Sequence, residues 1–90
     1  MSVKINIPSY LQSFTNESEV IEVDGGTIHE CLNHLIKKFP EIGDKVFDKD
    51  GTLHSYVTIY LDGEFAYQEQ LAKPVEDGTE LHLLYVLGGG

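Results

Sequence analysis

Three consecutive glycines, Gly88, Gly89 and Gly90, end the 90-residue sequence directly after the bulky run Leu81-His82-Leu83-Leu84-Tyr85-Val86-Leu87. Glycine loses the most backbone entropy on ordering and adds no side chain to packing, so such a run is suited to being thin and loose. Fully extended, three residues reach about 10–11 Å, enough to carry a terminal carboxylate away from a folded body and into a narrow channel of another protein. With no Cβ beside the carbonyl, a nucleotide or a sulfur nucleophile can approach it from either face. The chemistry this points to is acyl chemistry at a main-chain carboxylate, that of Gly90 as written or of Gly89 if one residue is trimmed. The plain alternative is a frayed end or the remnant of a linker.

The side chains offer less. Cys31 is the single cysteine, so no intramolecular disulfide can form, and its place in an apolar stripe marks it as a packing residue rather than a relay thiol. His29 and His34 stand five apart, not the four that stacks two ligands on one helix face, and His54 and His82 are distant, so no metal site is expected. Asp48, Asp50 and Gly51 faintly resemble a calcium loop but lack its further oxygen ligands and closing Glu; a solvated turn suffices. No nucleophile elbow, phosphate-cradling glycine loop or paired cysteine motif is present, and no catalytic residue is assigned.

The elements that would position the tail are legible from periodicity. Val3, Ile5 and Ile7 alternate with Lys4 and Asn6, predicting a strand over residues 3–7 that ends at Pro8. A polar loop around Thr15-Asn16-Glu17-Ser18 leads to a second strand over 19–23, which stops at Asp24-Gly25-Gly26. Ile28, Cys31, Leu32, Leu35, Ile36 and Phe39 then fall at steps of three and four, the stripe of an amphipathic helix. Thr27 and Glu30 form a capping box at its start, Lys37 and Lys38 suit its last turn, and Pro40 stops it. Residues 43–54 read as a polar connection, 56–61 as a third strand ended by Asp62-Gly63, and 65–70 as a short edge strand or a turn. Asp77-Gly78 launches the last strand, 79–87. Two strands, a helix and further strands describe an α+β layer, in which a hairpin, a crossing helix and a returning final strand make the β-grasp arrangement. The expected organisation is a domain over 1–87 and a flexible glycine tail over 88–90.

The last strand is apolar on both faces. Leu81, Leu83, Tyr85 and Leu87 form the larger set and are assigned to the core, which leaves His82, Leu84 and Val86 on the other face. These three are candidates for a partner-docking patch beside the tail, the alternative being an ordinary two-sided strand.

With the tail, the Pro74-Val75-Glu76-Asp77-Gly78-Thr79-Glu80-Leu81 turn and the Val57-Thr58-Ile59-Tyr60-Leu61-Asp62-Gly63-Glu64 strand and turn, the whole chain resembles the MoaD/ThiS family of ubiquitin-like sulfur carriers. The opening Ile7-Pro8-Ser9-Tyr10-Leu11, the long connection over 48–54 and the chain length are most similar to the CysO branch, which serves cysteine synthesis. The resemblance implies a mixed sheet of four to five strands packed on one main helix. It implies a carrier that is not itself an enzyme and has no intrinsic cofactor. A partner uses ATP to turn the terminal carboxylate into an acyl adenylate, and sulfur from a donor displaces AMP to leave a thiocarboxylate. In the cysteine-type branch that sulfur passes to an activated amino acid on a pyridoxal-phosphate enzyme, and a metalloprotease frees the product. The triple glycine departs from the family, which commonly ends at the second.

Composition is compatible with this. Six Lys plus Arg against fifteen Asp plus Glu give a net charge of −9, which repels phosphate backbones and anionic lipid, so neither nucleic acid nor membrane is an expected partner. The same charge can steer the chain onto basic partner surfaces, or simply keep a small domain soluble. A single small domain, monomeric when free and located in the cytoplasm, is expected. Two classes of function follow. One is sulfur donation, to cysteine or homocysteine synthesis first and to molybdopterin, thiamine or tRNA thiolation second. The other is a ubiquitin-like protein modifier or adaptor.

Overall fold

The alternation at the start of the chain produces a strand, β1 (Ser2–Asn6), in which Val3 and Ile5 are buried and Lys4 between them is exposed. The computed structural model describes residues 2–85. β2 (Val20–Asp24) pairs antiparallel with β1, Val3 facing Val23 and Ile5 facing Ile21, and the Ile7 N–H extends the ladder to the Glu19 carbonyl at 2.8 Å. Pro8 ends the first strand as expected, and a 3₁₀ turn, Ser9–Phe14, buries Leu11 before the chain returns.

The helix α1 (Ile28–Lys38) buries Ile28, Cys31, Leu32 and Leu35, with Ile36 and Phe39 packed at the edge of the same core. Its first turn is fully partnered. Thr27 Oγ1 accepts from the Glu30 N–H at 3.1 Å, and the Ile28 and His29 N–H groups donate to the carbonyls of Lys73 and Leu71. Glu30 Oε1 accepts from the Gly26 N–H rather than from Thr27, so the capping box is displaced by one residue. α1 also closes the outer edge of β2: His34 Nδ1 accepts from the Asp24 N–H at 2.7 Å, and Lys38 Nζ donates to the Glu22 carbonyl at 2.8 Å.

The connection over 43–54 is more structured than its polarity suggests. A 3₁₀ turn, Pro40–Ile42, runs into a single-turn helix α2 (Gly43–Val46), and Ile42 and Val46 are fully buried. Phe47 bridges to Leu53, and both pack against the core. The loop between them is tied by Asp48, whose Oδ1 accepts from the N–H groups of Asp50 and Thr52.

β3 (Val57–Leu61) and β4 (Glu64–Ala66) form a hairpin closed by Asp62 and Gly63 at φ 49° and 80°, the left-handed pair that a tight two-residue turn needs. Residues 65–70 are both things expected of them: β4 ends at Ala66 and a 3₁₀ turn, Gln68–Gln70, follows. β5 (Glu80–Tyr85) runs parallel to β1 and antiparallel to β3, giving the sheet order β2-β1-β5-β3-β4. A mixed five-stranded sheet with α1 on one face, built around a parallel central pair, is the β-grasp fold. Among the described residues no helix is long and apolar enough to cross a membrane.

Candidate functional site

The fold places the last described residue of the chain at the end of its central strand. β5 is bonded on both sides, to β1 and to β3, so Tyr85 is held in the sheet at the root of the tail. Val86 and the glycines Gly88, Gly89 and Gly90 lie outside the described residues.

Side chains alternate along β5 as the sequence predicts. Leu81 and Leu83 are buried in the core under α1, and His82 and Leu84 point to the opposite, open face. Register carries that face across all five strands in one row: Val20 beside Asn6, Asn6 beside His82, His82 beside Tyr60, and Tyr60 beside Phe65. Val20 is 46% exposed and Phe65 50%, while Leu84, next to Thr58, is 38% exposed. The Tyr60 ring meets Phe65 at 5.1 Å and His82 at 6.0 Å, and the His82 ring lies 3.5 Å from the Glu80 carboxylate. Asn6 Nδ2 is buried and has no acceptor among the described residues. The sequence reading put His82 and Leu84 on this face and did not include Val20, Tyr60 and Phe65. The period-two pattern of β3 already set Tyr60 apart from the core positions, but which strands neighbour β5 was not readable.

On the core side the tail root is aromatic. The Tyr85 ring stacks on Tyr10 at 5.0 Å and 22° and meets Tyr56 edge-on at 5.0 Å and 64°, and Tyr56 in turn stacks on His54 at 4.7 Å. The Tyr85 hydroxyl donates to the Lys45 carbonyl of α2 at 2.9 Å, while the His54 ring is bonded to the neighbouring Asp44 carbonyl at 2.8 Å. Burial, then the hydrogen bond and proximity of Tyr56, push the Tyr85 phenol up to about 12. Nothing in the sequence announced this cluster, because its four rings come from three separate segments.

The remaining candidates have structural roles. Cys31 is fully buried, and burial first, then the Glu30 charge, raises its thiol pKa, so it stays protonated and inert. His34 caps the β2 edge, and His29 meets the Phe47 ring edge-on at 6.0 Å. Among the described residues no three His, Cys, Asp or Glu side chains converge as a metal site.

Known proteins reproduce this architecture. The model of the ThiS family matches residues 5–90. Small archaeal modifier protein 1 of Haloferax volcanii is 31% identical over 71 residues, 78% of each chain. Its crystal structure superposes over 100% of both chains with a TM-score of 0.86 at 26% identity. A chain of the Amycolatopsis orientalis BexX/CysO complex gives a TM-score of 0.84 at 25% identity, over 98% of this chain and 99% of that one. Mycobacterium tuberculosis CysO gives 0.84 at 25% identity, over 94% and 99%.

Proposed function

Because this chain belongs to the ThiS family of ubiquitin-like sulfur carriers and modifiers, we propose that it is a protein co-substrate whose terminal glycine carboxylate is activated and converted to a thiocarboxylate. The observation that carries the reading is a run of three glycines in the sequence shortly after Tyr85, the last described residue of the central strand of a β-grasp sheet. The carboxylate of Gly90, or of Gly89 after trimming, attacks the α-phosphate of ATP on an adenylating partner and releases pyrophosphate. A sulfur nucleophile then displaces AMP. The product carries a nucleophilic sulfur on a protein handle, so sulfur is delivered without release of free sulfide. The chain supplies no catalytic side chain; ATP is consumed by the adenylating partner, and any pyridoxal phosphate belongs to the acceptor enzyme. The open sheet face around His82 and Leu84 is assigned to docking these partners.

Likeness to CysO supports sulfur donation to cysteine or homocysteine synthesis as the pathway, with a metalloprotease releasing the product. The likeness to an archaeal modifier protein favours a second reading, in which the same activated carboxylate is joined to lysines of other proteins. The two separate on one gel. The chain is incubated with its own cell extract and ATP, with and without a sulfur donor, beside a variant lacking Gly88, Gly89 and Gly90. Tail-dependent trapping of a single species by a thiol-directed alkylating reagent, from a variant with Cys31→Ala, marks the carrier; a tail-dependent ladder of isopeptide-linked proteins marks the modifier.

A further inference from the structure

The ring cluster at the tail root is more exposed than core packing requires. Tyr85 is the ring that closes the core here, anchored through its hydroxyl to Lys45. Tyr10 and Tyr56, which flank it, are 56% and 36% exposed and present ring faces and edges to solvent. The chain after Tyr85, residues 86–90, spans at most about 18 Å even when fully extended. A protein that draws the final carboxylate into a catalytic cleft therefore comes within about 18 Å of the tail root. Leu84 stands on one face of the sheet there, and the ring of Tyr85 with its neighbours Tyr10 and Tyr56 on the other.

We propose that Tyr10, Tyr56 and the underlying Tyr85 form a second contact surface for the adenylating partner, one that takes cationic side chains, arginine above all, from the rim of its cleft. Aromatic faces carry negative charge density and attract guanidinium and ammonium groups. The chain as a whole is acidic, with a net charge of −9, and exposed Asp44 is next to the cluster through its backbone carbonyl, which bonds the His54 ring. Lys45, whose carbonyl accepts from Tyr85, has its ammonium over the Phe14 ring at 5.3 Å. The surface is separate from the open-face row, since Tyr85 lies on the Leu81 and Leu83 side of β5 and Leu84 on the other. The two together would grip the tail root from opposite sides and set the direction in which the chain enters the partner.

The proposal rests on the carrier reading and is tested with the adenylating enzyme purified from the source cells on immobilised wild-type chain, by ATP–pyrophosphate exchange. The variants are Tyr10→Leu and Tyr56→Leu, which keep apolar bulk without ring faces, and Tyr10→Phe and Tyr56→Phe, which keep the rings. Circular dichroism checks each fold. The expected result is that the paired Leu variant needs about tenfold more chain for half-maximal exchange at unchanged kcat, while the paired Phe variant stays within about twofold of wild type. Tyr10→Leu alone, at the more exposed ring, shows part of the loss without disturbing the core. Leu variants indistinguishable from wild type would overturn the second surface and leave the carrier reading intact. Equal losses in the Leu and Phe pairs would assign the effect to hydroxyl groups and overturn the aromatic contact. An absence of tail-dependent exchange with wild type itself would overturn the carrier reading, and the proposal with it.

Discussion

Tyr85→Phe removes one hydroxyl from the tail root and leaves the ring stack in place. The hydroxyl donates to the Lys45 carbonyl at 2.9 Å, tying the end of β5 to α2 across the aromatic cluster. A net contribution of about 1 kcal/mol is expected for such a bond, which for a domain of this size lowers Tm by roughly 4–8 °C. The pH dependence reports a different property, the burial of the phenol. The phenol is raised to about 12 in the folded chain against an ordinary value near 10 in the unfolded one, so between these values the folded state holds the proton more firmly. The stabilisation is therefore complete below about pH 10 and is lost as pH rises through about 12. Burial is the first cause of that shift and Tyr56 the second, so it reports the cost of charging a part-buried phenol rather than the strength of the Lys45 bond. Urea denaturation of wild type and Tyr85→Phe, followed by far-UV circular dichroism from neutral pH upward, should show a gap of about 1 kcal/mol that closes as pH approaches about 12. Equal stabilities at neutral pH would refute the assigned bond, and a gap that persists unchanged to about pH 12 would refute the burial of the phenol.

Gly25→Ala should be among the most damaging small substitutions, because a Cβ there would sit 2.8 Å from both the backbone nitrogen and the sulfur of Cys31. A loss of about 2 kcal/mol is expected in thermal or chemical denaturation, and a stability unchanged from wild type would show that the strand-to-helix junction can open. Thr27→Ala removes the acceptor for the Glu30 N–H and should cost about 1 kcal/mol by the same assay. Leu84→Asp, on the open face, should leave Tm within a few degrees while weakening binding to the adenylating enzyme at least tenfold by calorimetry; full affinity in a folded variant would remove the open face from the docking surface.

Elements with a long, clean period were legible in the sequence. The α1 stripe, β1 with its stop at Pro8, and the Asp62-Gly63 turn stand within a residue of where periodicity and turn chemistry put them. The helix α2 was not legible, because one turn containing a single buried residue, Val46, has no period to read. Gly25 reads as a turn residue in sequence, yet its role is to let the backbone pass against Cys31, a proximity only the packed fold creates. His34 reads as a polar helix residue and acts as the acceptor that closes the β2 edge. At the site, the two faces of β5 followed from alternation, so His82 and Leu84 separated correctly from Leu81 and Leu83. The residues that complete each face, Val20, Tyr60 and Phe65 on one and Tyr10, His54 and Tyr56 on the other, come from strands and turns whose neighbourhood is set by sheet order. Local pattern carries no record of that order.

The central claim is most directly tested by the intact mass of the untagged chain after incubation with ATP, a sulfur donor and its own cell extract. A mass gain equal to the exchange of one oxygen for sulfur, absent when Gly89 and Gly90 are removed, is the predicted result. No gain in an extract that charges a control carrier would contradict sulfur chemistry at the tail.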